Sequence, residues 1–130
     1  MSTWTHVVSV FRIDHIRYFG ELDFVNIFGK TCKFEDKNDI WVDAREHPDE
    51  YLPMGSEGSL EMNVWTNPDR GFLPAYTVSV FGDLRDYNDI YAIKAWFYKC
   101  CSKVNIRQAV IEIYCEESDP VVLNYRQEDS

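Results

Sequence analysis

Four residues near the ends of two predicted strands carry the side chains best suited to chemistry. Arg12, Asp14 and His15 close the first strand, and Arg85 follows the strand that begins at Ala75. A carboxylate, an imidazole and two guanidinium groups can bind a phosphate or carboxylate substrate and move a proton, provided that they converge. Neighbours along a strand point to opposite faces, so the spacing alone does not bring them together. We keep the set as an alternative ligand site and name no catalytic residue.

Other motifs give weaker chemical signals. The run Gly55-Ser56-Glu57-Gly58 lacks the spacing and the Lys-Ser/Thr ending of a phosphate-binding loop, so it predicts only a turn. His47 has acidic neighbours but no strong metal ligand at helical spacing, and the four cysteines form no C-x-x-C pair. We therefore expect no metal, no cofactor and reduced, mostly buried thiols.

Net charge narrows the class of partner. The chain has 22 acidic and 13 basic residues, for a formal net charge of -9. A field of that sign repels phosphate backbones, so direct nucleic-acid binding is disfavoured, whereas encounter with a basic protein surface is accelerated. Met1 is not followed by a basic and apolar leader, and no stretch approaches the roughly 18 apolar residues of a membrane span. A cytoplasmic protein without membrane contact is expected.

Hydrophobic periodicity predicts the elements that must position these residues. A short helix should end at Gly29, and a long amphipathic helix should cover Tyr87 to Val104 with Asp86 as its N-cap. Alternating patterns predict strands over Thr5 to Asp14, Leu60 to Trp65, Ala75 to Gly82, Gln108 to Cys115 and Val121 to Arg126. A chain of 130 residues suits one domain, so we expect a single α+β domain over residues 1–130.

The order of the elements favours a ferredoxin-like βαββαβ fold with an extra C-terminal strand and an insertion before strand 2. Both helices would pack on one sheet face and leave the other uncovered. The predicted side chains of that face are His6, Arg12, Asn63, Trp65, Thr77, Ser79, Phe81, Glu112 and Tyr114. RNA-binding domains of this topology stack bases on such aromatics but add basic residues, which are scarce here. Alternatively, the insertion or a second copy of the chain covers this face. A homodimer is therefore a second expectation.

The insertion, residues 33–58, is acidic and punctuated by Pro and Gly, with two helical turns predicted over Asp39 to Arg45. A run of this length without structure is unusual inside a domain, so we expect it to be ordered. Its acidic side chains and two aromatic anchors are our leading partner-binding candidates: Glu35, Asp36, Asp39, Trp41, Asp43, Asp49, Glu50 and Tyr51. Aromatic anchors would supply most of the affinity and the charges the encounter rate.

Three segments resemble uncharacterised small proteins of Gram-positive bacteria and their prophages. They are Gly55-Ser56-Glu57-Gly58-Ser59-Leu60, Val64-Trp65-Thr66-Asn67-Pro68-Asp69 and Tyr76-Thr77-Val78-Ser79-Val80-Phe81-Gly82-Asp83-Leu84-Arg85-Asp86. The resemblance implies that the gene lies among phage genes. Small acidic proteins encoded by such genes often inhibit host defence systems, including CRISPR effectors. We therefore expect a non-enzymatic acidic domain that binds a basic protein, for example a nucleic-acid-binding effector. The alternative is a nucleotide- or phosphate-binding protein or enzyme.

Overall fold

The computed structural model describes residues 3–15, 20–32, 46–66, 75–87 and 89–126. Within these ranges, an antiparallel sheet of five strands has the order β2-β3-β1-β4-β5. The strands are β1 (Trp4–Asp14), β2 (Glu61–Thr66), β3 (Ala75–Arg85), β4 (Ile106–Cys115) and β5 (Val121–Arg126). The helices are α1 (Phe24–Phe28) and α2 (Ile90–Lys103), with a 3-10 turn over Pro48–Glu50. None of the helices in these ranges is both long and apolar enough to cross a membrane.

Strand β1 lies at the centre of the sheet and pairs with β3 on one side and β4 on the other. Its odd-numbered residues, among them Val7, Phe11 and Ile13, are buried beneath the helices. The even-numbered residues are half-buried or exposed on the opposite face. The predicted alternation of this strand is confirmed.

The core is organised around the Phe11 ring, which is fully buried. Its centroid lies 4.9 Å from that of Phe28 in α1, and 5.9 Å and 5.3 Å from those of Trp96 and Phe97 in α2. The Trp96 indole N–H donates a hydrogen bond of 2.9 Å to the Phe28 carbonyl, which satisfies the polar atom of a largely apolar side chain. Aromatic packing therefore joins both helices to the central strand.

Helix α2 begins three residues later than the N-cap prediction placed it. Asp89, not Asp86, is the cap, and its side chain accepts a 3.0 Å hydrogen bond from the Ala92 backbone N–H. Asp86 has a φ of 53°, a left-handed conformation, and its backbone N–H donates to the Thr3 carbonyl at 2.6 Å. It therefore ties the chain after β3 to the start of β1. The prediction of the long helix itself is confirmed.

The ferredoxin-like α+β assignment is corrected by this architecture. The described residues form mainly antiparallel sheet, and among them α2 is the one helix of more than two turns. Helix α1 spans only five residues and supplies little of the expected two-helix layer. It stops at Gly29, whose φ is 128° and whose missing Cβ would lie 2.6 Å from the Leu52 backbone nitrogen. There Lys30 forms a parallel bridge with Tyr51, a long-range contact that periodicity could not reveal.

Candidate functional site

The sheet face opposite the helices, here called the open face, carries exposed apolar side chains in adjacent register positions. Val8 of β1 pairs with Phe81 of β3 and with Glu112 of β4, and Glu112 pairs with Val122 of β5. Val8 is 54% exposed and Phe81 39% exposed. Exposed apolar side chains in one row across the sheet, interrupted by a single carboxylate, are typical of an interaction surface rather than of scattered surface hydrophobics.

The open face contains all nine side chains that the alternation assigned to it. They are His6, Arg12, Asn63, Trp65, Thr77, Ser79, Phe81, Glu112 and Tyr114. The register aligns His6 with Tyr114, and it aligns Trp65 with Thr77 and Thr77 with Arg12. Trp65 thus lies at the opposite end of this face from Tyr114.

A cleft of about 300 Å³ opens between Phe81 and Tyr114. His6 and Val8 of β1 contribute to its floor, and further lining comes from Val7, Gly82, Asp83 and Glu112. We call it the Phe81–Tyr114 cleft. It combines two aromatic walls with carboxylates, a composition suited to a cation that carries an apolar or planar surface.

His6 is held at the end of this cleft by two carboxylates from different parts of the chain. Its Nδ1 lies 2.5 Å from Asp83 Oδ1, and its Nε2 lies 3.1 Å from Glu116 Oε2. Hydrogen bonds to Asp83 and then to Glu116 raise the pKa of His6 above its ordinary value. The hydrogen bond from His6 lowers the pKa of Glu116 in turn. Because both ring nitrogens face acceptors, the arrangement favours the imidazolium, with both N–H groups donating.

Charge is distributed unevenly along the open face. Asp83, Glu112 and Glu61 lie near Phe81, Glu61 being its direct partner across β2 and β3. Arg12 lies near the other end, two register positions beyond Val10 and its partner Ser79. The apolar patch is therefore bordered by carboxylates at its Phe81 end.

The alternative ligand residues do not converge. Arg12 and Asp14 lie near one end of β1, whereas Arg85 pairs with Trp4 at the other. Since β1 spans 11 residues, the ends are roughly 34 Å apart at about 3.4 Å per residue. Asp14 Oδ2 accepts a 2.6 Å hydrogen bond from Arg107 Nε, and Arg85 Nη1 donates to a Glu57 carboxylate at 2.7 Å.

His15 lies next to Asp14, but its Nε2 is 2.5 Å from the Gly20 carbonyl. A backbone carbonyl only accepts, so this ring nitrogen carries a proton and donates it to Gly20. That nitrogen is occupied by a loop contact. The predicted four-residue set therefore does not form one site.

The acidic partner-binding candidates are only partly described. Glu35, Asp36, Asp39, Trp41 and Asp43 lie outside the described residues, as does the helix predicted over Asp39 to Arg45.

Of the remaining candidates, Asp49 and Glu50 are exposed, and Glu50 Oε2 lies 3.9 Å from Lys30 Nζ. Tyr51 is only 9% exposed and packs with Cys32 and Met54, so it anchors its segment to the core. It cannot serve as an exposed aromatic anchor in this conformation.

A second cleft, of about 420 Å³, lies between α2 and residues 49–54. Asp49 and Tyr51 line it together with Leu52, Trp96 and Lys99. It is on the helix side of the sheet and shares no lining residue with the Phe81–Tyr114 cleft. Of the described candidates, Asp49 and Tyr51 thus lie on a surface separate from the open face.

Sequence reasoning placed His6 on the open face but missed its two carboxylate partners. The predicted strand ends at Gly82, whereas β3 continues to Arg85 and places Asp83 directly opposite His6. The extension of an alternating pattern past Gly82 was the available signal. Glu116 follows β4, and no local pattern connects it to His6. Comparison with protein-family models, curated proteins and solved structures found no match.

Proposed function

We propose that this protein is a non-enzymatic binding domain that docks a basic protein surface on the open face of its sheet. The observation that carries the proposal is the exposed apolar run of Phe81, Val8 and Val122, interrupted and bordered by carboxylates. An apolar centre with a polar rim is the usual composition of a protein interface. The aromatic side chains would be its main source of affinity.

Charge supports a basic partner over a second copy of the chain. Each copy has a formal net charge of -9, so two copies repel each other at long range. A basic surface is attracted by the same field and associates faster at low salt. The nucleic-acid channel of a host defence nuclease, such as a CRISPR effector, is a surface of this kind, and the resemblance to phage-linked proteins favours it. Inhibition by occupying that channel is the corresponding activity.

The chemistry of the face supports binding over catalysis. A general base needs a nitrogen or oxygen lone pair within reach of the substrate proton. Both ring nitrogens of His6 instead face carboxylates, at 2.5 and 3.1 Å. No observation favours the small-ligand alternative at Arg12, Asp14, His15 and Arg85.

Site-specific photo-crosslinking tests which surface docks the partner. A photoreactive amino acid replaces Val8, which is 54% exposed on the open face, or Val25 of α1, which is 46% exposed. Val25 is the matched control because it lines a surface depression with Asp49 and Glu50, so it reports on the described part of the acidic insertion.

The crosslinked proteins are identified in cells that naturally carry the gene. We expect a stoichiometric, predominantly basic protein to crosslink from position 8 and not from position 25. Crosslinking from position 25 alone would move the docking surface to the acidic insertion. Equal patterns at both positions, or none at position 8, would contradict the proposal.

A further inference from the structure

The Phe81–Tyr114 cleft presents two exposed aromatic rings on opposite sides of β1. Phe81 belongs to β3 and Tyr114 to β4, and both strands are neighbours of β1. Phe81 is level with Val8 and Tyr114 is level with His6, so the two aromatic residues lie diagonally across β1. At about 4.8 Å per strand and about 3.4 Å per residue, their backbones are roughly 12 Å apart, which exceeds the roughly 7 Å that one flat group fills between two rings. A flat group therefore stacks on one ring at a time. Phe81 is 39% and Tyr114 41% exposed, so both rings are accessible.

Glu112 supplies an uncompensated negative charge in this cleft. It is exposed, and it has no ion-pair or hydrogen-bond partner for its carboxylate among the described residues. Its direct neighbours across the sheet are Val8 and Val122, both more than half exposed. A carboxylate set among apolar side chains interacts more strongly with a cation that displaces the surrounding water. The cleft thus combines a negative charge with exposed apolar side chains.

The charges at the His6 end do not cancel that of Glu112. Even with His6 protonated between Asp83 and Glu116, this group of three carries a net charge of -1. Together with Glu112 the cleft carries about two negative charges. Glu61, the cross-strand partner of Phe81, adds a third nearby. The cleft therefore attracts a cation, and it stays negatively charged or neutral after one cation has bound.

We infer that the Phe81–Tyr114 cleft binds the guanidinium group of an arginine on the partner, an inference that rests on the proposed function. A guanidinium is planar, stacks on aromatic rings and donates two parallel hydrogen bonds to one carboxylate. A guanidinium above Val8 has the Phe81 ring on one side for stacking and the Glu112 carboxylate on the other for hydrogen bonds. A lysine ammonium is also attracted to a ring face, but it is compact, more strongly hydrated and lacks the flat surface and paired donors of a guanidinium, so it should bind more weakly.

NMR titration of the full chain with short blocked peptides tests this inference. The probes are the blocked tripeptides Gly-Arg-Gly, Gly-Lys-Gly and Gly-citrulline-Gly, the last of which has the planar shape without the charge. We expect the arginine peptide to shift the backbone amides of Val8, Phe81, Glu112 and Tyr114 most. The dissociation constant for the citrulline peptide should be at least tenfold weaker, and that for the lysine peptide intermediate.

Glu112→Gln should weaken arginine-peptide binding at least fivefold. Glu21→Gln is the matched control, since it makes the same charge change at an exposed residue outside the cleft. The same spectra show whether each variant is folded. Equal effects of the two substitutions, equal binding of citrulline, or shifts centred elsewhere would overturn the inference. If the peptides fail while crosslinking from position 8 succeeds, the arginine cleft is wrong and the docking surface stands. If both fail, the proposed function falls as well.

Discussion

Two adjacent valines give a direct test of the two-sided sheet. Val7 is 3% exposed beneath the helices, and Val8 is 54% exposed on the open face. Replacing either by Ala removes the same two methyl groups. At about 0.8 kcal/mol for each buried methyl-sized group, the transfer contribution for Val7 is about 1.6 kcal/mol. An incompletely collapsed cavity raises the total to about 2 kcal/mol.

For Val8 the same calculation gives a smaller loss, because about half of the side chain is already in water. We expect about 0.7 kcal/mol for Val8→Ala, a difference of about 1.3 kcal/mol between the variants. For a domain of this size that corresponds to roughly 5 °C in Tm. Both substitutions have the same change in β propensity, so the comparison isolates burial.

Urea unfolding monitored by tryptophan fluorescence measures the difference directly, provided that both variants retain the wild-type m-value. A second pair sharpens the result: Val8→Glu should fold, whereas Val7→Glu buries an unpaired carboxylate and should not. Equal losses for the two alanine variants, or a folded Val7→Glu protein, would show that the register of β1 is wrong. The open face would then have different members.

Three further predictions concern groups whose surroundings the fold determines. The pKa of His6 is raised in the folded state. The protonated side chain therefore stabilises the fold fully below the unfolded pKa of about 6.5. This stabilisation is lost as pH rises through the folded pKa. Urea midpoints should therefore fall more between about pH 6 and pH 8 in the wild type than in His6→Gln, and parallel curves would exclude this role. Burial raises the pKa values of Cys100 and Cys101 to about 12, so a thiol reagent should label them only as fast as the protein unfolds. Rapid labelling without urea would contradict their placement. Phe11→Ala should lower the free energy of unfolding by about 3–5 kcal/mol in a calorimetric or urea experiment, and a loss below about 1 kcal/mol would contradict the aromatic core.

Elements with a regular pattern could be predicted from the sequence. The alternation of Val7, Phe11 and Ile13 with their polar or exposed neighbours identified the two faces of β1. The spacing of Ile93 and Phe97 identified the buried side of α2. These patterns arise because each element meets the core on one side only, which is a local constraint on the sequence.

The fold class was not predictable by the same reasoning. Phe24–Phe28 has a helical pattern, but its length is limited by Gly29 and by the backbone of Leu52, which comes from a distant part of the chain. The N-cap was misplaced because both Asp86 and Asp89 precede the helix and both have capping side chains. The hydrogen bond between the Asp86 backbone N–H and the Thr3 carbonyl holds Asp86 outside the helix. That contact depends on tertiary structure.

The candidate site shows the same division. Alternation assigned Phe81 and Tyr114 to one face, because strand periodicity is local. Their position on either side of β1 depends on strand order, which a single sequence does not encode in any short pattern. The bridge from Asp83 through His6 to Glu116 also joins separate strands. The chemistry of the cleft therefore emerged only from the assembled sheet.

The most direct test of the docking surface is the affinity of the partner crosslinked from position 8 for two matched variants. Val8→Lys places a cation on the open face, and Val25→Lys makes the same change on α1 at similar exposure. Isothermal titration at fixed salt gives the dissociation constants. A basic partner on the open face predicts at least tenfold weaker binding for Val8→Lys and little change for Val25→Lys. Unchanged binding of Val8→Lys, or a greater loss for Val25→Lys, would contradict the central claim.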